Sequence, residues 1–322
     1  MNRFGILLLL LVALVTCLAS VFLGTVTIPL ADMVDPSSMG WRILFDFRLP
    51  RVAFAFSVGM GLAVIGATYQ TLFANPLAEP YVLGVSSSAL LGVAIGQFVF
   101  GWEPAQAPVS FLGFVFGTSS SLLLAGFTSR GFRYEPSKVV LFGMAINFVL
   151  SSVVFLMVTH VYQGLGAGNL PWLFGNIPWI TPAELVLPVT LSFATVGLLV
   201  FFARSLDAMA LGDTVAKTLG VSASRLRTGL ILATSVFLSV SVVTCGSIGF
   251  VGLAVPHAVR LLLGPRDMRA MILGSAVLGG AFLVASDLLC RVLAPPIEFP
   301  VGIITTLFGG PILLWLLWRR AA

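Results

Sequence analysis

Charge is what this chain has least of. Only 9% of its 322 residues are Asp, Glu, Lys or Arg, against about a quarter in an ordinary soluble domain, while 58% are hydrophobic. No soluble surface can be assembled from that stock. The formal charge of +5 comes with only two Lys and no dense basic run, so a nucleic-acid partner is not indicated. Cysteine is equally sparse: Cys17, Cys245 and Cys290 stand far apart in apolar sequence, without a CxxC or a neighbouring histidine. They read as small packing residues rather than a disulfide framework or a zinc site. The only histidines, His160 and His257, have no carboxylate or cysteine within one helical turn. That gives no metal centre and leaves acid–base catalysis almost nothing to work with. A GxxxxGK[ST] loop is also missing, so any ATP must be hydrolysed by another chain.

What the chain has instead is uncharged length. Arg3 followed by an apolar run resembles a signal peptide, and Leu14-Val15-Thr16-Cys17 loosely resembles a lipoprotein cleavage box. The run continues from Phe4 to Leu30, 27 residues or ~40 Å of helix, more than the ~30 Å hydrocarbon core requires. It is read as a retained first span. Further uncharged stretches are Val52 to Ala78, Pro80 to Trp102, Pro104 to Ser129, Val139 to Ala183, Leu185 to Ala203, Thr228 to Val259, Ala270 to Ser286 and Phe299 to Trp318. Two of these are too long for one helix. Val139 to Ala183 has a Gly/Pro/Trp-rich centre (Gln163 to Pro178) and reads as a span plus an interfacial segment. Thr228 to Val259 is broken by Gly246, Gly249, Gly252 and Pro256 and reads as a full span followed by a short one.

The total is about ten transmembrane helices in a single unit, residues 1–322, with no linker or second domain. Such runs lack the alternation of barrel strands, so the expected class is an all-α integral membrane protein. Gly59, Gly61 and Gly66, and Ser119, Ser120 and Ser121, mark surfaces where helix backbones can approach closely.

An even number of spans puts both termini on one side of the membrane. With the N-terminus inside, Arg3, Arg130, Arg133, Lys138, Arg204, Lys217, Arg225, Arg227, Arg260, Arg266, Arg269, Arg319 and Arg320 are cytoplasmic, 13 of the 17 basic residues. Arg42, Arg48, Arg51 and Arg291 fall outside, and this bias fixes the orientation by the positive-inside rule.

The polar residues near membrane depth carry the remaining information. Asp287 and Arg291 stand at i and i+4 near the outer end of the ninth span, where they can neutralise one another along a helix face. Alternatively, Arg291 points outward and meets a partner together with Arg48 and Arg51. The long cytoplasmic loop 204–227 contains a short amphipathic segment, Leu206 to Leu219, in which Met209, Val215 and Leu219 alternate with Asp207, Asp213 and Lys217. It ends at Gly220 as a helix does. Such a segment can lie on the membrane lipid or dock into a soluble partner.

Several segments resemble one family, the permease subunits of binding-protein-dependent ABC importers for ferric siderophores, haem and cobalamin. They are Arg48-Leu49-Pro50-Arg51; Gln70 with Asn75-Pro76-Leu77-Ala78-Glu79-Pro80 and Leu83-Gly84-Val85-Ser86; Trp172 and Gly175; and Leu211-Gly212-Asp213 with Ala216 and Leu219-Gly220-Val221. Further on come Gly249-Phe250-Val251-Gly252-Leu253, Pro256-His257 and Arg260, then Asp287, Arg291, Glu298-Phe299-Pro300-Val301-Gly302 and Gly310-Pro311. The pattern departs at Ser88, Thr214 and Ile312-Leu313.

The resemblance implies a type II ABC importer permease fold in the inner (cytoplasmic) membrane, with a second permease copy or paralogue completing a pathway on a two-fold axis. It implies two cytoplasmic ABC ATPase subunits that bind ATP and Mg, no cofactor on this chain, and a periplasmic or surface substrate-binding protein. Leu211, Gly212, Asp213, Ala216, Leu219 and Gly220 take the ATPase-coupling positions, which favours docking over lying on the membrane. Arg48, Arg51 and Arg291 take the binding-protein docking positions, which favours the partner reading of Arg291. Asn75, Pro76, Gly252, Pro256 and His257 take structural and gating positions, with no metal at His257. By family abundance an iron chelate is the default cargo. An ion-coupled secondary transporter is the alternative; it needs an embedded carboxylate, for which Asp287 is the candidate. An intramembrane enzyme lacks a nucleophile and base.

Overall fold

The computed structural model describes residues 3–26, 28–29, 32–101, 107–129, 136–165, 173–264, 266–293 and 297–321. Arg130, Arg133 and Trp172 lie outside the described residues. Among the described residues every regular element is helical: α1 (Arg3–Phe22), α2 (Met39–Leu72), α3 (Val85–Phe98), α4 (Ala107–Ser129), α5 (Pro136–Leu165), α6 (Pro182–Phe201), α7 (Ala203–Ala210), α8 (Asp213–Thr218), α9 (Ala223–Cys245), α10 (Val251–Leu263), α11 (Met268–Val292) and α12 (Val301–Ala321). Seven of these, α1, α2, α4, α5, α6, α9 and α11, are long and apolar enough to cross a membrane. Shorter apolar stretches in α3, α10 and α12 bring the set to the expected ten.

Helix ends depart from the uncharged runs in both directions. α1 stops at Phe22, short of Leu30, whereas α2 begins at Met39 and passes through Arg42, Asp46, Arg48 and Arg51 with a π-helical turn over Ile43–Arg48. α11 likewise runs through Asp287 and Arg291 to Val292. Counting charge ended those spans early because it treats every ionised group as solvated. In the bundle Arg48, Arg51, Asp287 and Arg291 are satisfied by other helices, which is the condition for keeping them at membrane depth.

Local chemistry explains the breaks. Ser38 caps α2 by accepting the Trp41 N–H at 3.0 Å. Thr181 and Glu184 form a reciprocal capping box at the start of α6, with contacts of 3.4 and 2.9 Å. A one-turn 3-10 helix, Pro80–Leu83, ends on Gly84 at φ +89°, a left-handed conformation that favours glycine, and α3 begins there. α9 ends on Gly246 at φ +71°, and an extended link leads to α10.

The centre of the bundle is α2. Of its most apolar window 89% is buried, against 17% for α1 and 22% for α5 and α6, which turn most of their apolar surface outward. Gly59, Gly61 and Gly66 each receive a different helix. A Cβ on Gly59 would lie 2.7 Å from Leu283 Cβ and closer still to the Gly279 carbonyl of α11. One on Gly61 would strike the Phe237 ring of α9, and one on Gly66 the Gly252 backbone of α10. The serine run of α4 behaves differently from expectation. Ser120 and Ser121 are buried but Ser119 faces out, and the close approach to α3 and α9 is made by Gly113 and Gly117.

Packing with so little slack makes Gly59→Leu a direct test. The variant should lose about 1–3 kcal/mol or more, as overpacked interiors do, and unfold at a lower temperature in detergent. Melting indistinguishable from the wild type would remove the α2–α11 seam from the account.

Candidate functional site

Polar side chains gather in three places, and the first is the end of the bundle where α1, α2 and α11 meet. Arg51 donates from Nε and Nη2 to Asp287 Oδ1 at 3.0 and 2.8 Å, and from Nη2 to Glu298 Oε2 at 2.8 Å. Its guanidinium also stacks 4.4 Å from the centre of the Trp179 ring. Arg291 Nε donates to the other Asp287 oxygen at 3.0 Å, and its Nη2 reaches Ser20 Oγ at 2.6 Å. Arg48 Nη1 donates to the carbonyls of Val21 and Phe22 at 3.0 and 2.9 Å, and its Nη2 to that of Val26. These last oxygens are the unpaired C-terminal carbonyls of α1 and its following turn, so the arginine caps the helix.

One carboxylate therefore holds two guanidiniums, and a third closes the end of α1. Arg48, Arg51 and Arg291 are only 2–3% exposed. In this conformation the intrahelical pair with Asp287, one of the two readings the sequence offered, is formed, and all three arginines engage partners inside the chain. The physical reason is desolvation, because a guanidinium beside lipid-facing helices is stable only where carboxylates and carbonyls replace water.

The second place is the opposite end, where loop 204–227 folds into α7 and α8 rather than one amphipathic helix. Gly212, at φ +104° and ψ 153°, breaks it, and Gly220, at φ +80°, ends it. Leu206, Met209 and Ala216 turn inward, Ala216 completely, while Leu211 and Leu219 are 68% and 62% exposed. Of the six coupling positions, then, Ala216 is a packing residue and the leucines form the free apolar face. Val215, also exposed, was not among those positions. Asp213 accepts Arg227 Nη2 at 3.0 and 3.2 Å, and Arg227 Nε donates to the Leu72 carbonyl at the end of α2 at 3.1 Å. Asp207 accepts the Met268 N–H at 2.7 Å, tying α7 to the start of α11. Arg227 was counted only as a topology charge, yet it is buried and clamps α8 to the core.

The third place surrounds Pro256 in α10. Proline has no N–H, so the Gly252 carbonyl four residues earlier loses its helical partner. Gln70 Nε2 supplies one at 3.2 Å, and Arg260 Nη1 donates to Gln70 Oε1 at 2.7 Å. His257 is buried, and its Nδ1 donates to the Leu253 carbonyl at 3.0 Å. Gly252 is needed for close approach, since a Cβ there would lie 2.6 Å from Pro80 Cδ. Phe250, just before α10, holds φ +68°, costly for a side chain of that size. Its N–H donates to Glu79 Oε1, and burial pushes the Glu79 carboxyl up to about 7. Asn75 Oδ1 accepts the Leu77 N–H at 2.9 Å in the turn after α2, so Asn75 and Pro76 shape that turn. Gln70 and Glu79 were legible only as motif letters; their roles need the helix they face.

Ten apolar helices, with their internal ion pairs at the two ends of the bundle, define a multi-pass membrane permease. The chain belongs to the FecCD transport family, which it matches over residues 9–319. It is 36% identical over 322 residues to the hemin transport system permease protein HmuU of Yersinia pestis, covering 98% of this chain and 95% of that one. To the vitamin B12 import system permease protein BtuC of Vibrio cholerae it is 36% identical over 286 residues, 88% of this chain and 85% of that one. In structure it is similar to a chain of a metal-chelate type ABC transporter in an inward-facing conformation: 26% identity, TM-score 0.84, 99% of this chain and 100% of that one covered.

Two outcomes follow from the geometry. Arg51→Glu leaves Asp287 and Glu298 facing a third carboxylate and should cost about 3–5 kcal/mol, as breaking a buried pair does, read as loss of folded protein in detergent. A variant as stable as the wild type would mean the cluster is solvated. Gln70→Leu should destabilise the protein by about 1–3 kcal/mol through the orphaned Gly252 carbonyl, and by less when Pro256→Ala restores the missing N–H. Equal losses in both backgrounds would rule out that role for Gln70.

Proposed function

We propose that this chain is the membrane-spanning permease of a binding-protein-dependent ABC importer and lines part of the path for an iron chelate, haem or cobalamin. The observation that carries this reading is a family match running from residue 9 to residue 319. Two relatives named for hemin and vitamin B12 transport add the range of cargo. On this reading the chain is one permease domain in the inner membrane with both termini cytoplasmic, an orientation supported by the distribution of basic residues. The α7–α8 end then faces the cytoplasm and the arginine cluster faces outward.

Two ATPase subunits holding ATP and Mg bind beneath a pair of permeases, so this chain is not itself the enzyme. The exposed Leu211 and Leu219, with Gly212, Asp213, Ala216 and Gly220 setting the shape between them, form the face that seats in an ATPase. A substrate-binding protein docks on the outer end. Arg48, Arg51 and Arg291 can meet its acidic residues only by exchanging their present partners, so docking through them is coupled to loosening of α1 from α11. Asn75, Pro76, Gly252, Pro256 and His257 belong to the turn that gates the pathway. The ion-coupled alternative needs Asp287 free to bind an ion, and its two oxygens are committed to Arg51 and Arg291.

Proteoliposomes containing this chain, its ATPase and its binding protein test the reading with ferric citrate, haemin and cyanocobalamin. ATP should drive uptake of at least one, unaffected by collapse of ion gradients. Uptake that needs no ATPase but stops with the gradient would favour the secondary transporter. Replacing Gly212 or Gly220 by Phe forces a side chain into a left-handed or extended-positive conformation, and should leave ATP hydrolysis while removing uptake. Normal uptake in both variants would sink the coupling assignment.

A further inference from the structure

Hydroxyls inside the helices follow one rule with a local exception. Ser57, Thr68, Ser87 and Ser235 donate to carbonyls three or four residues back, at 2.7–3.2 Å, which is how such side chains are satisfied without water. Among the described residues five buried hydroxyls have no partner: those of Tyr81, Ser86, Ser121, Thr228 and Ser275. Tyr81 and Ser86, 5% and 2% exposed, line the same cavity. An unpaired buried hydroxyl costs on the order of 1–3 kcal/mol, so two on residues lining one space mark it as a place where a ligand can supply the partner after a small side-chain rotation.

That space, about 320 Å³, lies between the Pro80–Leu83 turn, α3, α5 and the extended link after α9. Its polar wall is Tyr81, Ser86, Ser87, Asn147, Ser151 and Ser247, and none of its described lining residues is charged. The α5 part, Asn147 to Phe155, lies about 14–26 Å along the helix from Lys138, at 1.5 Å per residue, so the cavity runs from the middle of a ~30 Å core toward its far side. Nowhere else along α5 does the sequence offer an amide at that depth.

We propose that this cavity is a neutral hydrogen-bonding station on the pathway, where Tyr81, Ser86 and Asn147 hold the oxygen-bearing edge of a metal chelate. The inference rests on the importer reading. A wall of hydroxyls and one amide donates and accepts but supplies no anionic ligand, so it suits carboxylate, hydroxamate, amide or hydroxyl oxygens of a ligand whose metal is already enclosed. It offers a bare cation little. The volume is at the low end for small-molecule sites, about 300–1,000 Å³, so it takes one edge of the ligand. The apolar walls at Leu90 and Phe155 leave the two unpaired hydroxyls as the points of fixed orientation.

The reconstituted importer tests this by comparing Tyr81→Phe/Ser86→Ala with the wild type and with Ser86→Thr, using ferric citrate, haemin and cyanocobalamin as probes. In the double variant, ATP hydrolysis stimulated by loaded binding protein should stay within about twofold, while ligand delivered per ATP falls about tenfold, the scale of one or two hydrogen bonds. Ser86→Thr keeps a hydroxyl and should keep delivery. Unchanged delivery in the double variant, equal loss in Ser86→Thr and Ser86→Ala, or joint loss of hydrolysis and delivery would each overturn the station while leaving the importer standing. A wild type that carries none of the three probes would overturn the importer reading and this inference with it.

Discussion

A polar group at membrane depth has no bulk water to bind and must find its partner within the chain or in a bound ligand. That single constraint organises the molecule. It gathers Arg48, Arg51 and Arg291 around Asp287, Glu298 and the last carbonyls of α1, brings Gln70 to the carbonyl that Pro256 orphans, and turns most helix hydroxyls back on their own turns. Without hydrophobic drive between helices in lipid, the remaining cohesion comes from close contact. Gly59, Gly61 and Gly66 of α2 supply it at the contacts with α11, α9 and α10.

The same constraint separates what is fixed from what is free. At the arginine end nearly every charge is neutralised internally, so that surface changes only by exchanging strong partners for others. At the α7–α8 end the charges Asp213 and Asp207 fasten two short helices to α2 and α11, while Leu211 and Leu219 are left uncovered. The exposed apolar pair is thus raised on a charged anchor, with its polar supports between it and the bundle.

Much of the architecture was legible in the residues. Uncharged length gave about ten helices, and the ordered motifs gave the family. What the residues hid was contact. The uncharged runs stop short of the ends of α2 and α11 because charge in a sequence carries no sign of whether it will be paired, and Arg51 and Asp287 are 236 positions apart. Gln70, Glu79 and Arg227 gave no local signal at all: each acts on a backbone group or side chain that only folding brings near. Gly59, Gly61 and Gly66 were read as contact sites, but not that each would meet a separate helix.

Arg227 gives the α8 anchor a mechanical meaning. Its guanidinium grips Asp213 on one side and the carbonyl of Leu72 on the other, so a tilt of the six-residue α8 pulls on the last turn of α2. Two residues before that carbonyl stands Gln70, whose amide holds the weakened rung of α10 beside Pro256. One buried arginine thus links a short helix at one end of the bundle to the last turn of α2, two residues from the glutamine that supports the proline break of α10.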